Sequence, residues 1–155
     1  MAKIFVYGTL KTNLHNNYIL KNEANGSSQF DGKGVTSKQY PLVVATKYGI
    51  PFMLDAEGKG HHVLGEIYDV DDKMLGKLDE LEANGVLYVR TPIDVVASSD
   101  TTVQCETYLL KSFVNSLLDL PFLKEYKGQL KYIPPNKRNQ SNVLEEVKGQ
   151  VMAKQ

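Results

Sequence analysis

Apolar and polar positions along this chain alternate in short blocks, and most of the blocks have the length and composition of strands. Ile4-Phe5-Val6-Tyr7 is an unbroken β-prone run that predicts a buried first strand over residues 2–7. Between residues 26 and 70, short apolar runs are punctuated by turn residues and predict strands at 29–36, 40–45, 52–55 and 62–70, with a hairpin loop at 55–60. Two longer strands are expected at 87–97 and 103–110, joined by the polar turn Ser98-Ser99-Asp100-Thr101. Helical periodicity is clearest over 71–83, and a short helix over 13–22 would turn Leu14, Tyr18 and Ile19 inward. Beyond Leu120 the pattern weakens. Pro134-Pro135 and residues 136–142 read as loop, and 143–153 as a helix without a broad apolar face. One domain over 1–155 is expected, with a peripheral C-terminal segment from about 136. Six or seven short strands with few helices give an α+β class and a strongly curved or closed sheet. A doubly wound parallel sheet would need helices alternating with the strands.

Two places depart from this ordinary pattern. The first is Tyr7-Gly8-Thr9-Leu10, where a buried strand stops at glycine and a small hydroxyl residue and presents bare N–H groups at its tip. A plain strand-ending turn is the commoner role for such a glycine. The second lies on the helix over 71–83, capped by Asp71 or Asp72 and ended by Gly85 at its C′ position. On an ideal wheel with Met74 at zero, Leu78 falls near 40°, Leu75 near 100° and Leu81 near 340°. Glu82 falls near 80°, among those leucines, whereas Asp79 sits at the edge and Glu80 points to water. Burial and the negative end of the helix dipole would both raise the Glu82 pKa, as suits a general base. A buried structural glutamate paired with lysine or arginine gives the same pattern, as does a helix that ends before residue 82.

Composition narrows the partners. Eighteen basic and eighteen acidic side chains cancel over 155 residues, so no field favours nucleic acid or an anionic membrane. A single cysteine, Cys105, excludes an intrachain disulfide framework and a multi-cysteine metal site, and reads as a core residue. Polar and glycine residues interrupt the apolar run after Tyr7, and no apolar stretch approaches the roughly 20 residues of a membrane span. A cytoplasmic protein acting on a small molecule, without nucleic acid or membrane partner, is expected; so is a monomer. His61 and His62 are neighbours that a strand would point to opposite faces, and His15 is isolated, so no metal site is expected. Gly58-Lys59-Gly60 lacks the Ser or Thr of a phosphate loop, and Gly32-Lys33-Gly34 lacks the third glycine of a dinucleotide fingerprint. Tyr88 and Arg90 are alternate residues of one predicted strand, and Tyr126 and Tyr132 are candidates to close a pocket from the C-terminal side.

The run Ile4-Phe5-Val6-Tyr7-Gly8-Thr9-Leu10-Lys11, followed downstream by Leu78-Asp79-Glu80-Leu81-Glu82, resembles the γ-glutamylcyclotransferase-like superfamily. The resemblance is strongest to its γ-glutamylamine cyclotransferase branch. Carrying that narrower likeness are Tyr40-Pro41-Leu42-Val43-Val44-Ala45, Gly49-Ile50-Pro51-Phe52, Gly65-Glu66-Ile67-Tyr68 and Leu87-Tyr88-Val89-Arg90-Thr91. It spans residues 2 to about 96 and is loose beyond Cys105, with Leu130-Lys131-Tyr132-Ile133-Pro134 through Asn139 faintly similar. Leu81 stands where close relatives carry an aromatic residue. The resemblance implies a small, largely antiparallel β-barrel flanked by a few short helices, with a cavity at one side. It implies substrate binding by Tyr7, Gly8, Thr9 and Leu10, catalysis by Glu82, a small-molecule γ-glutamyl substrate and no cofactor. The implied reaction releases an amine from a γ-glutamyl amide as the glutamyl part closes to 5-oxoproline. Other γ-glutamyl amino acids or glutathione are the alternative substrates, and a non-catalytic binding module with the same pocket is the alternative of another class.

Overall fold

The computed structural model describes residues 1–128, 132–134 and 143–153. Its strands are β1 (Ala2–Val6), β2 (Ser28–Tyr40), β3 (Leu42–Ala45), β4 (Ile50–Met53), β5 (His61–Val70), β6 (Val89–Ala97) and β7 (Thr102–Leu109). Helices are α1 (Asn17–Lys21), α2 (Asp72–Leu81) and α3 (Val143–Val151), with short 3₁₀ turns at Glu23–Asn25 and Asn115–Asp119. Five strands close into a barrel in the order β1-β5-β2-β6-β7, and β3 with β4 forms a separate two-stranded sheet. All barrel pairings are antiparallel except β1 against β7, where Ile4 lies opposite Glu106. The α+β barrel with short flanking helices is therefore the architecture observed.

β1 is buried on both faces, which explains its unbroken apolar text. Ile4 and Val6 belong to a cluster shared with Met74 and Leu78 of α2, whereas Phe5 and Tyr7 join the one containing Ile67, Ile93, Val95 and Cys105. Successive side chains of a strand point to opposite faces, so one strand serves two cores. Gly65 of β5 makes the close approach to β1 feasible: a Cβ there would meet Phe5 Cζ and the Val6 carbonyl oxygen at 2.5 Å each.

The differences from expectation are local and have causes. The helix expected over 13–22 shrinks to α1 because Asn13 adopts φ 68 and residues 8–16 form successive turns. Ile19 does face inward, but Tyr18 is 60 % exposed. β2 runs on to Tyr40 through register shifts on its β5 side, and Pro41 then separates it from β3. The loop over 55–60 is no hairpin: β4 pairs with β3, whereas β5 pairs with β1 and β2. Asp71 is the N-cap of α2, its Oδ1 accepting from the Met74 N–H at 2.8 Å. At the other end Ala83, not Gly85, is the first residue with positive φ, at 48°. Residues 135–142, read as loop, lie outside the described residues. α3 has only a narrow apolar face, yet its Val147 and Val151 are buried in the main core.

Candidate active site

A cavity of about 110 Å³ opens beside the barrel, where the end of β1 meets the end of α2. Tyr7, Gly8, Thr9 and Leu10 line one side of it, and Leu81 and Glu82 line another. All five site residues expected from the sequence thus meet on one cavity, although β2 to β5 and α2 separate Leu10 from Glu82 along the chain.

The turn after β1 is held by bonds to its own downstream residues and to β7. Gly8 O accepts from the Lys11 N–H at 3.1 Å, and Thr9 O accepts from the Asn16 N–H at 2.9 Å. Among the described residues no hydrogen bond uses the N–H of Gly8, Thr9 or Leu10, so three donors remain unspent at the wall of the cavity. Gly8 is needed here because a Cβ would come within 2.9 Å of Pro51 Cγ, itself part of the cavity wall. The Tyr7 hydroxyl donates to the Tyr108 carbonyl oxygen at 2.6 Å, which ties the turn to β7. Burial and the nearby Glu82 charge push the Tyr7 phenol well above its ordinary pKa.

α2 ends at Leu81, and Glu82 is its C-cap with φ −88 and ψ 2, its N–H donating to Leu78 O. The helix does stop before Glu82, yet the side chain still lies on the cavity because the last turn continues in a tight geometry. No hydrogen bond or ion pair reaches its carboxylate among the described residues, so the structural pairing with lysine or arginine is absent there. Glu82 is half-buried and lines the cavity. Burial alone pushes the Glu82 carboxyl up to about 7 from the model-compound value of 4.5.

Asp79, one turn earlier, is treated differently: it accepts the Tyr108 hydroxyl at 2.7 Å and faces Arg90 Nε at 3.5 Å. Arg90 therefore serves an ion-pair network with Asp79 and Glu106 and does not line the cavity. Tyr88 does line it, its ring stacked on Phe52 at 5.4 Å and its hydroxyl bonded to Pro51 O at 2.8 Å. Tyr132 also reaches the cavity, whereas Tyr126 is buried in the barrel core. Sequence reasoning missed Asn16 and Tyr108 altogether. Asn16 fell inside the helix expected over 13–22, and Tyr108 looked like an ordinary strand tyrosine. Successive turns over residues 8–16 bring Asn16 to Thr9, and the closed barrel brings Tyr108 to the cavity. Among the described residues no group of three His, Cys, Asp or Glu side chains is arranged to hold a metal, and no helix is long and apolar enough to cross a membrane.

Comparison with known proteins places this site in a family. A family described as Gamma-glutamyl cyclotransferase, AIG2-like, matches residues 4–128. The chain is 38 % identical over 149 residues to the Gamma-glutamylaminecyclotransferase of Rattus norvegicus, covering 89 % of this chain and all of the relative. It is 42 % identical over 125 residues to a putative gamma-glutamylcyclotransferase of Drosophila melanogaster, covering 81 % and 80 % of the two chains. The crystal structure of an aig2-like protein from Mus musculus superposes with a TM-score of 0.84 at 39 % identity, covering 89 % of this chain and 99 % of that one. The match includes both the turn after β1 and the end of α2 within its span, and the chain belongs to the γ-glutamyl cyclotransferase, AIG2-like family.

Proposed function

We propose that this protein is a γ-glutamylamine cyclotransferase that converts γ-glutamyl-ε-lysine into 5-oxoproline and free lysine. The observation that carries this reading is the lining of the cavity: unspent backbone donors on one side, and Glu82 as its only charged side chain among the described residues. The substrate supplies its own nucleophile. Its α-ammonium, with a pKa of about 8, passes a proton to Glu82, and the freed nitrogen attacks the γ-carbonyl carbon. The N–H groups of Gly8, Thr9 and Leu10 take the glutamyl α-carboxylate and the developing oxyanion. Glu82 then returns the proton to the departing amine as the γ-carbon–nitrogen bond breaks. The attacking nitrogen gives up its second proton as the lactam forms, and the amine takes it and leaves as an ammonium ion, so protons and charge balance over the cycle.

The raised pKa of Glu82 matters quantitatively. An ordinary carboxylate at 4.5 would take a proton from an ammonium at about 8 against a gap of about 3.5 units, whereas at about 7 the gap is about one. The difference is on the order of 3 kcal/mol in the proton-transfer step. Holding amine and carbonyl in contact adds the larger effective-molarity gain.

The same lining favours amines over α-amino acids as leaving groups. A γ-glutamyl α-amino acid carries a carboxylate beside the scissile amide, in a cavity whose charge is negative and whose other walls include Ile50, Pro51, Leu81 and Leu87. A lysine side chain presents only methylenes there. The cavity is small for a drug-sized ligand, which fits a glutamyl head inside and the amine at the mouth. The test is release of 5-oxoproline from γ-glutamyl-ε-lysine and from γ-glutamylalanine. Turnover of the first and little of the second supports the proposal. The reverse preference would make the protein a cyclotransferase for γ-glutamyl amino acids, and binding without turnover of either would make it a binding module.

A further inference from the structure

Asn16 is 4 % exposed and occupies the N-cap of α1, a position where asparagine side chains usually accept from the first turn. Here the side chain makes no capping bond. Its Nδ2 donates instead to Thr9 Oγ1 at 2.8 Å and to the Tyr132 hydroxyl at 2.9 Å, across the cavity wall. The main chain reinforces this, because the Asn16 N–H donates to Thr9 O at 2.9 Å. Thr9 is thus gripped at both its carbonyl and its hydroxyl oxygen by one residue. Since the Thr9 oxygen accepts from Asn16, its own proton is left over, and among the described residues that proton has no acceptor.

We propose that Asn16 is a positioning residue that fixes the Thr9 hydroxyl as a hydrogen-bond donor to the α-carboxylate of the glutamyl head, with Tyr132 bracing it from the other side. This rests on the cyclotransferase reading, since it assigns an anionic group to the Thr9 side of the cavity. Abandoning a helix cap normally costs stability; the return is a fourth donor beside the three N–H groups. Tyr132 lies outside residues 4–128, where the family match ends, so the brace is a contribution of the C-terminal segment.

The test uses 5-oxoproline as a carboxylate probe, measured by calorimetry independently of turnover, together with KM and kcat for γ-glutamyl-ε-lysine. Thr9→Val is expected to weaken 5-oxoproline binding roughly tenfold or more and to raise KM alike, with kcat within a few fold. Thr9→Ser, which keeps the hydroxyl, restores both. Asn16→Ala weakens binding in the same direction, and added to Thr9→Val it costs little more, because the two act through one proton. Asn16→Asp is the most damaging: a carboxylate only accepts, so it captures the Thr9 proton and sets a negative charge beside the probe. Asn16→Asp binding as well as Asn16→Ala, or fully additive losses for Asn16→Ala and Thr9→Val, would overturn the proposal. Thr9→Val binding like wild type would overturn it even if the Asn16 variants fail to fold. Absence of 5-oxoproline release by wild type is a separate result, and it removes the cyclotransferase reading itself.

Discussion

Two glutamates sit inside this barrel's shell, and the fold treats them in opposite ways. Glu66, on β5 and 8 % exposed, has its Oε1 surrounded by donors: the Thr12 N–H at 2.7 Å, the Thr12 hydroxyl at 3.1 Å and the Tyr68 hydroxyl at 3.2 Å. Glu82, at the end of α2, receives no donor among the described residues and is pushed up to about 7 by burial. Surrounding a carboxylate with donors stabilises the structure around it. Burying one without donors costs stability and leaves a base whose proton affinity suits neutral pH. The first arrangement builds the protein, and the second is what a site that moves protons requires.

Removing the carboxylate at each place separates the two roles. Glu82→Gln should lower turnover about 10²- to 10⁴-fold, the usual contribution of a positioned acid–base, with KM little changed. Release of 5-oxoproline and lysine measures it, and equal turnover by the two proteins would remove Glu82 from the chemistry. The same change should leave the fold intact. A carboxyl whose folded pKa lies above its unfolded value favours folding only while protonated. Its contribution therefore falls as pH rises from about 4.5 to about 7 and stays constant above that. Glu82→Gln should gain on wild type across that window, by at most about 3 kcal/mol, as urea unfolding at the two ends of the window would show. A gain independent of pH would contradict the raised pKa.

The opposite pattern is expected at Glu66. Glu66→Ala strips the Thr12 N–H and both hydroxyls of their acceptor and should cost about 1–3 kcal/mol of stability. Turnover per folded molecule should stay within about tenfold of wild type, since Glu66 does not line the cavity. A smaller effect is expected at the turn: Gly8→Ala places a methyl 2.9 Å from Pro51 Cγ, and should lower kcat/KM several fold while melting close to wild type. Smallest of all is Asp71→Ala, which removes the α2 cap for about 1 kcal/mol without touching the chemistry.

The sequence carried one of these two glutamates and not the other. Glu82 stood out because a charged residue on the apolar face of a regular helix breaks a strict period, and the end of α2 one residue earlier did not move it off that face. Glu66 was marked only as part of the Gly65–Tyr68 block of the resemblance, since an acidic residue in an alternating strand is ordinary, and its Thr12 donors come from a turn that the sequence does not place. The strands were visible for the same local reason: β1 is a short apolar block, and β5 and β7 are β-prone runs bounded by turn residues. A curved or closed sheet was expected too, but not which strands close it, because β1 beside β7 is a parallel pairing between the two ends of the sheet, set by twist and packing across the whole barrel. Tyr108 joins the site through that closure, Asn16 through the turns over residues 8–16 and Tyr132 from the C-terminal segment, so no single local pattern marked them. Tyr18 and the short α1 show the converse, a helical period overridden by a left-handed Asn13.

The central claim is that Glu82 is a carboxyl left deliberately without donors. Its titration can be followed directly by ¹³C NMR of side-chain-labelled glutamate, with the resonance assigned by its loss in Glu82→Gln. A midpoint near 7 in the free protein is the result this structure predicts. A midpoint near the ordinary 4.5 would mean that donors or water reach the carboxylate after all, and the account of Glu82 as the proton carrier would fall.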